Sequence, residues 1–388
     1  MTRNRPSQRA HSDQDLRLWS VGRALAVSFT VSVLVAGAIF FALVGLLGFQ
    51  GIDSDKKLDA ATLFDMVKLS FGVVAGAGAL VALVVAYRRQ RVDEAGAHRE
   101  ATRLHTERFT QAVEQLGSDS PAVRLGGVHA LSGLSDDAPD PTQRQACIDV
   151  LCAYLRLPFT PDPGDDPAHQ EEHHRYLAHR TVRHTILRLI GDHCRRPAED
   201  RRSWQGHDLD LTGTTIDGAL HFHDTEFSGG NVSLDDARFT DGDVILRGAT
   251  FSGGNVSFDG AEFSGGNVPF HRARFSGGNV SFDAAEFSGG NVPFDRAEIT
   301  GGNLFFDAAE FSGANVSFRD TTFADGFVFF DAATFTGGDV SFRDAAFSGG
   351  DVSFEQATGQ APAGLLASVA ASSTSAAVRL PPAWTAAG

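Results

Sequence analysis

Cysteine, methionine, tyrosine and tryptophan are nearly missing from this chain of 388 residues, with three, two, three and three copies. The three cysteines, Cys147, Cys152 and Cys194, are too few for a disulfide framework, and free thiols fit a reducing cytoplasm. Cationic excess is missing as well. Lys and Arg number 33 against 48 Asp and Glu, a formal charge of −15, whereas nucleic-acid binders need cations to displace counterions from phosphate. No direct nucleic-acid binding is therefore expected. No Walker loop, dinucleotide fingerprint or Ser/His/Asp set occurs, so the sequence points to no cofactor and away from an enzyme.

What the chain has in abundance is glycine, 42 copies, and phenylalanine, 31 copies. Both come from one motif, A-x-F-S-G-G-N-V-x-F-x-x, seen at 261–272 as AEFSGGNVPFHR and recurring every 12 residues between Phe222 and Phe354. Such a unit cannot bury its apolar face alone, so the array reads as a solenoid. Phe258, Phe263, Phe270, Phe275, Phe282, Phe287, Phe294, Phe306, Phe311 and Phe318 each follow a smaller apolar residue by two positions, such as Val256, Ala261 or Val268. In extended chain, residues two apart face the same way, so each ring and its small partner point inward. The Gly-Gly pairs are expected at bulged corners.

Twelve residues are the motif, but 24 are the coil. Asp235, Asp259, Asp283, Asp307, Asp331 and Glu355 recur every 24 residues, alternating with Arg247, His271, Asp295, Arg319 and Arg343. A two-sided coil of 12 residues is too flat to hold stacked rings. Residues 24 apart should stack at about 4.8 Å, with four short faces per coil.

The small-then-large inward pairing, as in A-E-F-S-G, resembles the pentapeptide-repeat proteins over residues 209–354. That resemblance implies a right-handed, four-sided parallel β-helix; its flat, regularly spaced faces suit binding, and no catalytic group recurs in the repeat. The chain departs from strict fives, since every second unit has seven residues, F-S-G-G-N-V-x. Some soluble members mimic DNA and occupy topoisomerases. The acidic coils suit that alternative; apolar runs and the Arg column do not.

Residues 1–20 are polar and Arg-bearing and read as a disordered cytoplasmic lead. Residues 21–92 read as a two-helix membrane hairpin. Its spans are 24–49, uncharged, and 69–87, ending at Arg88-Arg89. Arginines flank the outer ends of both, which predicts a multi-pass protein of the cell membrane with both termini and the repeats in the cytoplasm. Residues 93–200 read as a small all-α region that caps the first coil, entered by a charged helix that is either solvated or a stalk pairing two copies as a homodimer. Within it, Pro121 and Pro141 start helices and a third runs from about Glu171 to His193. The β-helix should occupy 201–358, and 359–388 should be a disordered tail.

Among outward positions, the Asp235 to Glu355 column is the candidate partner-binding edge. The commoner role for such a turn Asp is to cap its own corner by accepting the N–H two residues on. Asn255, Asn267, Asn279, Asn291, Asn303 and Asn315 follow the Gly-Gly corners and are expected to form side-chain amide ladders. Calcium β-roll repeats need G-G-x-G-x-D, which is not present. His169, His173, His174, His179, His184, His193 and Cys194 invite a metal assignment, but neither paired cysteines nor H-E-x-x-H accompanies them. A solvated or packing role is expected there. The sequence thus predicts a membrane-anchored, non-catalytic scaffold offering an acidic β-helix to a protein partner whose identity it does not give.

Overall fold

The computed structural model describes residues 30–31, 33–35, 37–38, 41–42, 45, 60–160, 162–164, 166–372 and 377–385. It divides into two compact units, 1–100 and 101–388. The lead at 1–20 and most of the first predicted span lie outside the described residues.

Helix α1 runs Ala60–Leu116. In the first unit it takes in the whole second predicted span, 69–87, and Leu69, Phe71, Val73, Leu83, Val84, Val85 and Tyr87 are all exposed there. Among the described residues no helix is long and apolar enough to cross a membrane.

After α1 the second unit continues with three helices, the first two started by proline, whose fixed φ and missing N–H suit a first turn. Helix α2 is Pro121–Asp136, α3 is Pro141–Arg156 and α4 is Gln170–Cys194. Asp140 caps α3, its side chain accepting from Gln143 N at 2.9 Å. Val128, Leu131, Ile148, Leu151, Leu155, Val182, Ile186 and Ile190 are buried and form the helical core. Val123, in the first turn of α2, is exposed.

These helices close the first coil of the β-helix, as expected of a solenoid with an apolar end to cover. Arg183 donates to Leu155 O at 2.6 Å and to Thr215 O at 2.8 Å, tying α3 and α4 to the coil. A side chain at Gly191 would meet His221 O at 2.7 Å, so only glycine allows this approach. Trp204 is buried, stacked on His193 at 4.4 Å, and donates Nε1–H to Ser135 Oγ at 3.1 Å.

Residues 209–359 form a right-handed parallel β-solenoid of about seven turns of about 24 residues. Strands 24 residues apart pair in register on four faces. One face pairs Asn231, Asn255, Asn279 and Asn303 in succession. The next pairs Arg238, Glu262, Glu286 and Glu310, and the third Asn291, Asn315 and Asp339. The fourth pairs Glu226, Thr250, Arg274, Glu298 and Thr322.

The interior is stacked phenylalanine. Phe239, Phe263, Phe287, Phe311 and Phe335 form one ladder with ring centroids 4.7–4.8 Å apart and near-parallel planes. Phe258, Phe282, Phe306, Phe330 and Phe354 form a second at 4.7–4.8 Å. Phe270, Phe294 and Phe318 form a third, and Phe227, Phe251 and Phe275 begin a fourth. Neighbouring ladders meet edge-on, as between Phe282 and Phe294 at 5.9 Å and 81°. Full burial of each ring contributes about 1.5–3 kcal/mol. Their geometry adds about 0.5–1.5 kcal/mol per pair.

The corners are of two kinds, and the sequence pattern discloses one. At Gly265 a side chain would strike Thr240 O at 2.0 Å, so the first glycine of the pair lets coils close up. The second, Gly266, takes φ +71°. The other kind follows each F-x-x, where φ is positive although glycine is rare: Arg272, Ala284, Arg296, Ala308, Asp320 and Ala332 all lie between 54° and 57°. The left-handed region disfavours a Cβ. It is held there because each N–H donates to a corner carbonyl one coil on, as Ala284 N does to Asp307 O and Ala308 N to Asp331 O, both at 2.8 Å.

The expected disordered tail is corrected in part. Leu365–Ala370 is helix α5, residues 377–379 pair in parallel with 351–353, and Pro382–Thr385 is helix α6. Trp384 is buried, sits 5.7 Å from Phe335 and 5.8 Å from Phe354, and donates to Gly359 O at 2.9 Å. An apolar residue in an Ala-rich segment thus covers rings that would otherwise face water.

Candidate functional site

With the interior filled, whatever the β-helix recognises must meet its outward columns. At the corner after Phe258 and its equivalents stand Asp235, Asp259, Asp283, Asp307 and Asp331, all half-buried, and exposed Glu355. They do not cap their own corners. The N–H of Ala261, two residues past Asp259, already donates to Phe258 O at 3.0 Å, which leaves no donor for the side chain. The carboxylates of Asp235, Asp259, Asp283 and Asp307 instead accept the N–H of the next acid in the column. Asp283 N donates to Asp259 Oδ1 at 3.0 Å, Asp307 N to Asp283 Oδ1 at 2.9 Å and Asp331 N to Asp307 Oδ1 at 3.0 Å. Register stacking puts that N–H one coil on within reach, so the column is an inter-coil ladder as well as an acidic edge.

Serine hydroxyls reinforce the ladder: Ser257 donates to Asp235, Ser281 to Asp259, and Ser353 to Asp331 at 2.5 Å. Burial, with the flanking Asp charges, holds the carboxyls of Asp283 and Asp307 above the usual range. Glu286 and Glu310, exposed and paired in register on the adjoining face, add to the same acidic edge.

The diagonally opposed corner, half a coil away, carries Arg247, His271, Asp295, Arg319 and Arg343. With Arg272, Arg296 and Asp320 all but Arg343 line a groove of about 470 Å³. Arg296 lies 3.7 Å from Asp320, and His271 3.8 Å from Asp295. The remaining two corners carry amide ladders. Asn255, Asn279 and Asn303 each donate Nδ2–H to the Asn one coil earlier at 2.8–3.0 Å, and Asn291 and Asn315 do the same at 2.9 Å. Asn267 begins its ladder on Asp243, at 2.9 Å.

The histidines of α4 do not converge. His173 Nδ1 meets Asp162 Oδ1 at 2.6 Å, His179 contacts Arg124, and His184 Nε2 is 3.4 Å from Asp217 Oδ1. Burial works to raise the Asp217 carboxyl, but His184, Arg180 and Arg183 outweigh it and hold it below the usual range. Buried His193 donates Nδ1–H to Leu189 O at 2.6 Å, lies 3.2 Å from Asp136 through Nε2 and stacks on Trp204, a packing role between α2 and the segment that leads into the first coil. Among the described residues no group of three His, Cys, Asp or Glu could hold a metal ion. Cys147, Cys152 and Cys194 are buried, and burial pushes the first two thiols up to about 12.

Sequence reasoning gave the outward aromatics no role. Phe305 and Phe329 stand where other coils have Ser257, Ser281 and Ser353, and their rings lie 5.9 Å apart. Phe327, in register with Asn303, is 47% exposed and 6.0 Å from Phe329. The signal was legible as three breaks in the outward polar pattern.

Residues 211–262 and 241–286 match the family model described as pentapeptide repeats (9 copies). Neither the curated proteins nor the solved structures offer a match to the chain. Residues 211–286 are thus pentapeptide repeats by their match to the family model, and the four-faced parallel coil they form continues to residue 359.

Proposed function

We propose that this protein is a non-catalytic scaffold, anchored in the cell membrane, whose acidic β-helix binds a protein partner in the cytoplasm. The observation that carries the reading is the regularity of the outer surface. A rigid rod whose charged columns repeat once per coil presents many identical groups at fixed spacing, which suits an extended partner and costs little ordering entropy on binding. The uncharged run at 24–49 and the exposed apolar side chains at 69–87 on α1 support the anchor, because apolar surface of that extent is stable in lipid or against protein. Arginines at the outer flanks support cytoplasmic termini.

The test is in-cell crosslinking and affinity capture with the full chain and with a chain lacking 209–358. Partner crosslinks should disappear on the deletion while membrane fractionation persists. Crosslinks that survive the deletion would refute the scaffold role of the repeats, and recovery of the full chain in the soluble fraction would refute the anchor.

A further inference from the structure

We propose that Phe305, Phe327 and Phe329, with Asp283, Asp307 and Asp331 beside them, form a docking surface for a basic, arginine- or lysine-bearing segment of the partner protein. This deepens the scaffold reading and rests on it.

The argument begins with what these coils give up. Elsewhere on this face, outward serines donate to the Asp one coil earlier: Ser257 to Asp235, Ser281 to Asp259, Ser353 to Asp331. Phe305 and Phe329 occupy the positions that would serve Asp283 and Asp307. The amide ladder from Asn231 through Asn303 also stops where Phe327 takes the next place in register. A phenylalanine side chain can make none of these inter-coil hydrogen bonds, and the three rings stand outside a core that is already full. An outward ring does not help the fold as an inward one does, and adjacent aromatics on an otherwise polar face mark an interaction site.

Charge selects the occupant. Phe305 and Phe329 each end a strand two residues before an acid of the column, Asp307 and Asp331, so a carboxylate follows each ring at the corner. Asp283 completes the row one coil below, and its carboxyl and that of Asp307 are held high by burial and by the charge of the acid one coil on. A guanidinium or ammonium group relieves that repulsion while its aliphatic stem lies on the rings. An anionic lipid surface would be repelled by the same carboxylates.

The test uses the full chain in neutral detergent micelles and a fluorescent 12-residue peptide alternating arginine and leucine, with a glutamate-for-arginine version as control. The variant Phe305→Ser/Phe327→Asn/Phe329→Ser installs what neighbouring coils carry, so it keeps the fold and leaves the charge unchanged. Anisotropy at physiological salt should show the arginine peptide binding the wild type at least tenfold more tightly than the variant, and no binding of the glutamate peptide. Equal binding to both proteins, no binding to the wild type, or ring-dependent self-association in sedimentation would each overturn the proposal. In cells, crosslinks lost on deleting 209–358 but kept by the triple variant would sink this surface alone. Crosslinks kept by both would sink the scaffold reading with it.

Discussion

Replacing Asp283 with asparagine should stabilise the protein at neutral pH. Asn keeps an oxygen to accept the Asp307 N–H, now at 2.9 Å, and removes one charge from a column of like charges. The stacked rings set the coil pitch at 4.7–4.8 Å, which places Asp259 and Asp307 about one pitch either side of Asp283. At that spacing each like pair costs about 0.9 kcal/mol in a water-like dielectric. Salt at 0.15 M reduces this to about 0.5 kcal/mol. Two neighbours therefore give a gain of about 1 kcal/mol. The pH dependence has a definite sign. A carboxyl raised in the folded state contributes stability below its unfolded pKa, and loses it as pH rises through the folded value. The wild type should thus lose more stability than Asp283→Asn between about pH 3 and 6, bracketing the ordinary Asp value near 4. Urea denaturation of the full chain followed by circular dichroism reads the difference, which should grow at low salt and vanish at acid pH. A variant equal to or weaker than wild type at pH 7, with no salt response, would refute the ladder electrostatics.

Other expectations concern packing. Phe282→Ala, which breaks a stack with Phe258 below and Phe306 above at 4.8 Å, should lower stability by about 3–5 kcal/mol in the same denaturation experiment. Gly265→Ala should destabilise because its Cβ would lie 2.0 Å from Thr240 O, whereas Gly133→Ala, with open space within helix α2, should stabilise by up to about 1 kcal/mol. Trp384→Ala should speed amide exchange in the last coil, 334–359, and leave the first coil unchanged, since the indole covers Phe335 and Phe354. Cys147 and Cys152, buried and with thiols pushed up to about 12, should resist alkylation until the protein unfolds.

Much of the rod was legible because its repeats are so similar. The Asp column disclosed the coil of 24, and the two-residue offset between Val256 and Phe258 disclosed the inward face. The amide ladders followed from Asn recurring beside Gly-Gly. Left-handed corners at Ala284 or Arg272 were not legible, since neither residue advertises positive φ; inter-coil hydrogen bonds impose it. The role of Asp259 was misjudged for a related reason. Local turn chemistry suggests a donor two residues on, but the main chain takes that donor and stacking offers another 24 residues on. Trp384 was obscured by composition, because one indole decides the packing of a segment otherwise rich in Ala and Ser. The outer rings at Phe305, Phe327 and Phe329 were legible as breaks in the outward polar pattern, but their adjacency on one face follows only from the coil register.

The coil length underlies the columns, the ladders and the ring patch alike, and nitroxide labels test it directly. Labels at exposed Glu286 and Glu310, register neighbours on one face, should show strong dipolar broadening, while labels at Glu286 and Glu298, half a coil apart on opposite faces, should not. Broadening in the second pair and none in the first would contradict the 24-residue coil and every column built on it.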